Sequence, residues 1–386
     1  MRRPSTFRLA LAANELLASE RQLPSGRLLD ASATSDLFPG VDREGLAGGA
    51  LWHDAVMPDS QRVLIETLRW ACRCGARVLN YTEVTGLRLK EGRVTGLEAE
   101  DRESGERLEL RGRTVINCAG PWVRRLAGEL DRDLPGLFRP VLAFNLLLDR
   151  EPLSDAALAV ASPKQGAQTW FLLPWKGRIL AGTFYVPMGS GEEGLDDGHI
   201  SAFLAELNAA VPGWNVRRGE VLRIFQGRLP ADAESSAAPS SRPVFHDHGS
   251  SGGPAGLFSV SGVKLTTARA VAEQALRRVF AARGERLPPR GQVGRPAADP
   301  PLPLDELLHL ASRDREAARA HLRGLVERQS VVHLEDLLLR RADWGLLPEG
   351  AVAARLCSAL GWAEARSSRE MTEEPRPLRT AGRGGH

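Results

Sequence analysis

Thr114-Val115-Ile116-Asn117-Cys118-Ala119-Gly120-Pro121-Trp122 begins as a short apolar run and breaks at a glycine–proline pair. Such a run, bounded by turn residues, reads as a strand at the buried centre of a parallel sheet. A second passage has the same form. Leu257-Phe258-Ser259-Val260-Ser261-Gly262 is a strand ending in glycine, and Thr266 and Thr267 can cap the helix that follows through Ala270, Val271, Gln274 and Val279. A strand that ends in Ala119-Gly120-Pro121 lets the backbone pass close to a flat molecule, because glycine has no Cβ to intrude. Taken alone, the same residues are better read as a plain strand-to-loop turn. The turn from Gly262 to Thr267 adds amide donors at a helix start, which favour negative charge, and Lys264 adds a cation there.

Outward from these strands the pattern alternates between helix and sheet. Residues 5–19 have helical spacing, and a loop-rich stretch follows up to Gly48-Gly49. Asp59-Ser60 caps a helix that Gly75 stops. Strands are expected at Arg77–Tyr81, Glu83–Leu89, Arg93–Asp101 and Arg107–Leu110, with Glu91-Gly92 and Ser104-Gly105 as turns. From Pro140 to Arg223 the reading is mostly β, with strands at Val141–Leu148, Thr169–Leu173 and Arg178–Thr183 and a helix near Ile200–Ala210. Residues 283–303 read as a Pro-, Gly- and Arg-rich linker. Helical segments follow at about 304–327, 333–342 and 349–360, and the tail from Met371 reads as disordered.

A chain of 386 residues, 42% hydrophobic and 26% charged, suggests about two to three domains with ample core. Its net charge of +3 gives no general footing for nucleic acid. Nearly all the cations are arginine, with lysine only at Lys90, Lys164, Lys176 and Lys264. Cys72, Cys74, Cys118 and Cys357 form no metal or disulfide framework and read as reduced thiols of a cytoplasmic protein. No apolar run approaches the ~20 residues of a membrane span. His246 and His248 straddle Asp247 and could face one way on a strand, but without a third ligand nearby a polar strand or loop is the better reading. Asp305-Glu306 and Glu335-Asp336 read as helix-start and helix-surface acids, respectively.

Several further stretches belong with the first two. They are Gly48-Gly49-Ala50-Leu51-Trp52-His53-Asp54-Ala55, then Gly75-Ala76 through Asn80-Tyr81-Thr82-Glu83-Val84-Thr85-Gly86. Next come Pro174-Trp175-Lys176-Gly177-Arg178 with Ala181-Gly182-Thr183, and Gly262-Val263-Lys264-Leu265-Thr266-Thr267-Ala268-Arg269. The last is Leu334-Glu335-Asp336-Leu337-Leu338-Leu339-Arg340-Arg341. In this order and at these separations, the chain resembles the FAD-dependent glycerol-3-phosphate dehydrogenases of the D-amino-acid-oxidase-like flavoproteins.

The resemblance implies an α/β (α+β) fold: an incomplete Rossmann-like FAD-binding domain, an inserted antiparallel β substrate domain and a helical C-terminal domain. By residue, these are 1–138 with a return at 251–282, 139–250, and 304–370, with 283–303 as linker and 371–386 as tail. The cofactor is FAD, held by Val84, Ala119, Gly120, Pro121, Trp122, Gly262, Lys264, Leu265 and Thr266. The substrate is sn-glycerol 3-phosphate, whose dianion calls for guanidinium groups. The resemblance assigns that role to Arg228 and Arg242, with Lys264 beside flavin and substrate; these three are the catalytic and substrate-binding set, and no metal takes part. Electrons would pass to a quinone, which brings peripheral contact with the inner face of the cytoplasmic membrane into view.

The family opens with a strand and Gly-x-Gly-x-x-Gly, whose helix N-terminus holds the FAD pyrophosphate. No such opening segment stands here, so the chain as written is expected to bind FAD weakly and turn over little. Two alternatives remain: another flavin oxidoreductase of the same group, acting on an amine or a different hydroxy compound, or a non-catalytic fragment.

Overall fold

In the computed structural model the described residues are 4–17, 23–161, 169–188, 194–232, 237–262, 264–289, 291, 293–294, 297–298, 300–342, 350–360 and 362–372. The chain begins with α1 (Pro4–Leu17), β1 (Arg27–Leu29), α2 (Ala31–Leu37), β2 (Gly49–Leu51) and α3 (Ser60–Arg73). A meander follows, β3 (Thr82–Lys90), β4 (Arg93–Asp101) and β5 (Arg107–Arg111), then β6 (Val115–Asn117) and α4 (Val123–Leu130). Next come β7 (Pro140–Leu148), β8 (Leu158–Ala161), β9 (Thr169–Trp175), β10 (Arg178–Pro187) and α5 (Asp197–Ala210). The order then runs β11 (Val221–Pro230), β12 (Val244–Asp247), β13 (Leu257–Ser261) and α6 (Ala268–Ala282). It closes with α7 (Leu304–Arg313), α8 (Arg315–Gln329), a π-helical turn at Asp336–Arg341, α9 (Gly350–Leu360) and α10 (Glu364–Thr372).

The chain divides into two units. The first holds residues 1–56, 86–97 and 111–285, and the second holds 57–85, 98–110 and 286–386. The core of the first is a five-stranded antiparallel sheet of order β11-β7-β10-β9-β8. Alternation along β7 puts Phe144, Leu146 and Leu148 on one face, joined there by Trp170 and Leu172 of β9. Ile200, Phe203, Leu204 and Leu207 of α5 are buried at helical spacing against this layer. Trp170 meets Phe203 edge-on at 4.5 Å between ring centroids. The hairpins close as the sequence dictates: Glu91-Gly92 and Lys176-Gly177 both take positive φ, as a two-residue turn between twisted strands requires.

The core of the second unit is helical, with Leu322 and Leu325 of α8, Leu337 and Leu338 of the π-turn and Leu356 and Cys357 of α9 packed together. Asp336 does not lie on the surface as its helical setting suggested. It is buried, and it accepts from Tyr81 Oη at 2.9 Å, from the Val332 amide at 2.9 Å, from the His333 amide at 3.0 Å and from Arg340 Nη1 at 2.9 Å. Its carboxylate turns back on the start of its own helix, where it takes up the Val332 and His333 amides.

Other expectations are corrected locally. The stretch before Gly48 is not all loop, because Asp30 accepts from the Ala33 amide and starts α2. Arg77–Leu79 forms no strand, and Val78 and Leu79 stay exposed with no pairing neighbour among the described residues. Helix 304–327 is two helices, because the Asp314 carboxylate accepts from the Ala317 amide and restarts the chain as α8. Helix α10 carries order past Met371, while residues 373–386 fall outside the described ones. Among the described residues no helix is long and apolar enough to cross a membrane.

Candidate active site

A small sheet of order β12-β13-β6 carries the two passages quoted first. β6 and β13 are parallel, with Val115 opposite Leu257, Ile116 opposite Phe258 and Asn117 opposite Ser259. Their carboxyl ends therefore emerge side by side, and the turns Ala119–Trp122 and Gly262–Thr267 leave the same edge. In open α/β sheets, ligands bind outside this edge. β6 was expected at a buried centre, but it is paired on one side only among the described residues, and Ile116 is 36% exposed.

Arg228 and Arg242, the two arginines expected at the site, lie on β11 and just before β12. β12 runs antiparallel to β13 with Val244 opposite Ser261, so its amino end, just after Arg242, stands where β13 ends. Arg228 lies on β11 opposite Leu142, and β11 packs against the Gly120–Trp122 turn. Beyond β11, Ala231 bridges Pro239 in antiparallel register, and the Ser240 amide donates to the Pro230 carbonyl at 2.6 Å. Past that bridge the chain bends at residues 241–242, where the Arg242 amide donates to the Ser240 hydroxyl at 3.3 Å. Arg228 is half-buried, while Arg242 and Lys264 are exposed.

The turns themselves are open. Gly120 has φ +56°, and no heavy atom lies within 4 Å of the place a Cβ would occupy. Gly262 has the same free space. The local structure therefore fits a flat ring system lying against the backbone. The residues after Gly120 wind into a 3₁₀ turn in which the Trp122 amide donates to Ala119 O at 3.0 Å. Leu265–Thr267 forms another such turn, for which Lys264 is the cap. Thr267 does not cap α6 with its side chain; its hydroxyl donates back to Lys264 O at 3.1 Å and ties the turn together. Val263 lies outside the described residues, and Val84 sits half-buried on β3 in the second unit.

Among the described residues no group of three or more His, Cys, Asp or Glu side chains comes together as a metal-ligand set, and the two histidines have other partners. His248 is fully buried between Asp131 and Ser259, at 2.8 and 2.9 Å. His246 packs edge-on to it at 4.7 Å, and burial, with His248 beside it, holds the His246 pKa below its ordinary value. The sequence offered one signal for this arrangement, a histidine within a strand; the acid and the serine it joins are remote in the chain.

The spacing Gly-x-Gly-x-x-Gly does occur in the chain, at Gly189-Ser190-Gly191-Glu192-Glu193-Gly194 between β10 and α5. Residues 189–193 lie outside the described ones. The Asp196 carboxylate caps the start of α5, where a pyrophosphate would need bare amides, and β10 is antiparallel to its neighbours.

The sequence pattern of the family described as FAD dependent oxidoreductase matches residues 2–278. The chain belongs to that family. A relative within reach is a glycerol-3-phosphate dehydrogenase of Synechocystis, 28% identical over 85% of this chain and 60% of its own length. Another is glycerol-3-phosphate dehydrogenase 1 of Mycobacterium tuberculosis, 30% identical over 84% of this chain and 68% of its own. Among solved structures, the glycerol-3-phosphate dehydrogenase from Bacillus halodurans complexed with FAD covers 89% of this flavoprotein-family chain. The match takes in 77% of that protein with a TM-score of 0.68, at 20% identity. It shows that the two share a fold.

Proposed function

We propose that this oxidoreductase uses FAD to oxidise sn-glycerol 3-phosphate to dihydroxyacetone phosphate and passes the electrons to a quinone. What supports this reading most is the meeting of two open glycine turns and an arginine at one edge of the β12-β13-β6 sheet, in a chain whose relatives carry that activity in their names. In this reading residues 1–138 and 251–282 form the FAD-binding part, 139–250 the substrate part and 304–370 the helical part.

When bound, FAD supplies the acceptor for the hydride that leaves C2 of the substrate. The protein's own residues bind, orient and compensate charge. Arg228 and Arg242 grip the phosphate dianion or the developing carbonyl oxygen, because a guanidinium offers a planar fork of donors to such oxygens. Lys264, at a turn with free amides, offsets negative charge on the pyrimidine edge of the reduced ring. Ala119, Gly120, Pro121, Trp122, Gly262, Leu265 and Thr266 line the ring system.

The arginines give the test. Arg228→Ala and Arg242→Ala should each raise KM for glycerol 3-phosphate by about tenfold or more, which is what the loss of a charge-assisted bond worth ~1.5–3 kcal/mol implies. Their effect on oxidation of glycerol, which lacks the phosphate, should be much smaller. Equal losses with both compounds would contradict the assignment.

A further inference from the structure

A chain of buried hydrogen bonds runs from the end of α4 to the Ala119–Trp122 turn. It begins at Asp131, directly after α4. Asp131 packs so tightly on Gly253 that a Cβ there would stand 2.5 Å from Oδ2. Burial pushes the Asp131 carboxyl up, but hydrogen bonds from His248 and Arg132 outweigh it and hold the group below the usual carboxylate range. An ionised carboxylate only accepts, so Nδ1 of His248 donates to it at 2.8 Å. Nε2 accepts from the Ser259 hydroxyl at 2.9 Å, because the other neighbour of that oxygen, Asn117 Nδ2, can only donate. The Ser259 oxygen then has a lone pair for Asn117 Nδ2, 3.3 Å away. The second Nδ2 hydrogen of Asn117 goes to Val123 O at 2.8 Å, and its Oδ1 accepts from the Ala119 amide at 3.1 Å.

Every donor in this chain meets an acceptor, and the direction of each bond follows from one charge. His248 and Ser259 are wholly enclosed and Asn117 is 2% exposed, so water does not substitute for the links between them. A buried polar chain is costly unless complete, and apolar side chains would fill the same volume more simply. Its two ends explain its place. The amide of Ala119 and the carbonyl of Val123 bracket Gly120, Pro121 and Trp122, so the chain's last residue clamps both sides of the open turn.

We propose that Asp131, His248, Ser259 and Asn117 are positioning residues that hold the Ala119–Trp122 turn in the conformation that receives the isoalloxazine ring. The ligand named here rests on the function proposed above; the control of the turn does not. His248 transmits the orientation set by Asp131, and Ser259 carries it across from β13 to β6.

Two readouts on the full chain test this. In Ser259→Ala, without FAD, amide exchange at Ala119, Trp122 and Val123 should accelerate on the order of five- to tenfold, the factor a net hydrogen bond carries. Amides of β7 should keep their rates. FAD affinity, followed by quenching of flavin fluorescence, should weaken by a similar factor, and Ser259→Thr, which retains the hydroxyl, should restore both. If the alanine variant does not fold, Asp131→Asn removes the directing charge at constant size and carries the same expectations. Wild-type exchange at the turn, or uniform acceleration through β7, overturns the proposal. A wild-type chain that binds no FAD while the turn still responds to Ser259→Ala supports the positioning role and counts against the proposed function. Normal FAD binding with an unresponsive turn refutes the relay alone.

Discussion

Replacing Asp336 with alanine should remove more stability than any other single polar change in the second unit. Asp336 is 2% exposed and serves four donors, two of them the consecutive amides of Val332 and His333. Burial pushes its carboxyl up, yet those amides, followed by the Tyr81 hydroxyl, hold its pKa below the ordinary value. Alanine leaves both amides without their acceptor, strips Tyr81 of its own, and leaves Arg340 with Glu335 alone of its two carboxylates. Breaking a buried charged network by removing one partner costs about 3–5 kcal/mol, a range consistent with two orphaned amides at ~1–3 kcal/mol each. Asp336→Asn keeps one oxygen for the amides and should cost about half as much. Because the folded-state pKa is depressed, the wild-type contribution is fully present above the unfolded carboxyl pKa and fades as pH falls through the folded value. The assay is urea unfolding at pH 7, with hydrogen exchange to localise the loss to α8 and the π-turn. A loss below about 1 kcal/mol in the alanine variant, within the range of one ordinary hydrogen bond, would refute the reasoning.

Further expectations concern single sites. His333 lies between Glu370 at 2.9 Å and Glu103 at 3.0 Å, and although burial lowers its pKa, the two carboxylates outweigh it and raise the value. Its stabilisation is therefore complete below the unfolded histidine pKa and lost as pH rises through the raised one, so the urea midpoint should fall with rising pH more steeply than in His333→Gln. Gly256 has φ +95°, and a Cβ there would stand 2.8 Å from Arg113 O, so Gly256→Ala should cost about 2 kcal/mol or more, read as a lower Tm. Trp170 is fully buried among Phe144, Phe184 and Phe203, and Trp170→Ala should cost about 3–5 kcal/mol, measured by chemical denaturation.

The sheet strands were legible where alternation and turn chemistry agreed. Glu91-Gly92 and Lys176-Gly177 mark hairpins that form in the structure, and Arg93–Asp101 is a strand end to end. The ends of β6 and β13 were legible too, because a glycine follows each strand, at Gly120 and Gly262. Arg77–Leu79 misled because a strand is made by its neighbour, which its own residues do not encode. Asp336 misled because its burial comes from partners, the Val332 and His333 amides and the distant Tyr81 hydroxyl, that the spacing of apolar residues does not encode. The link between Asp131 and Ser259 was invisible for a third reason: it exists only once α4, the His248 loop and β13 have come together.

The central claim is that this chain's two glycine turns present a flavin to a phosphorylated glycerol. Its most direct test is anaerobic titration of the chain at saturating FAD with sn-glycerol 3-phosphate, following the visible flavin band. The account predicts stoichiometric bleaching of protein-bound flavin, dihydroxyacetone phosphate as product, and loss of the response in Arg242→Ala at the same substrate concentration. Bound FAD that stays oxidised under excess glycerol 3-phosphate, or that an amine reduces instead, would contradict it.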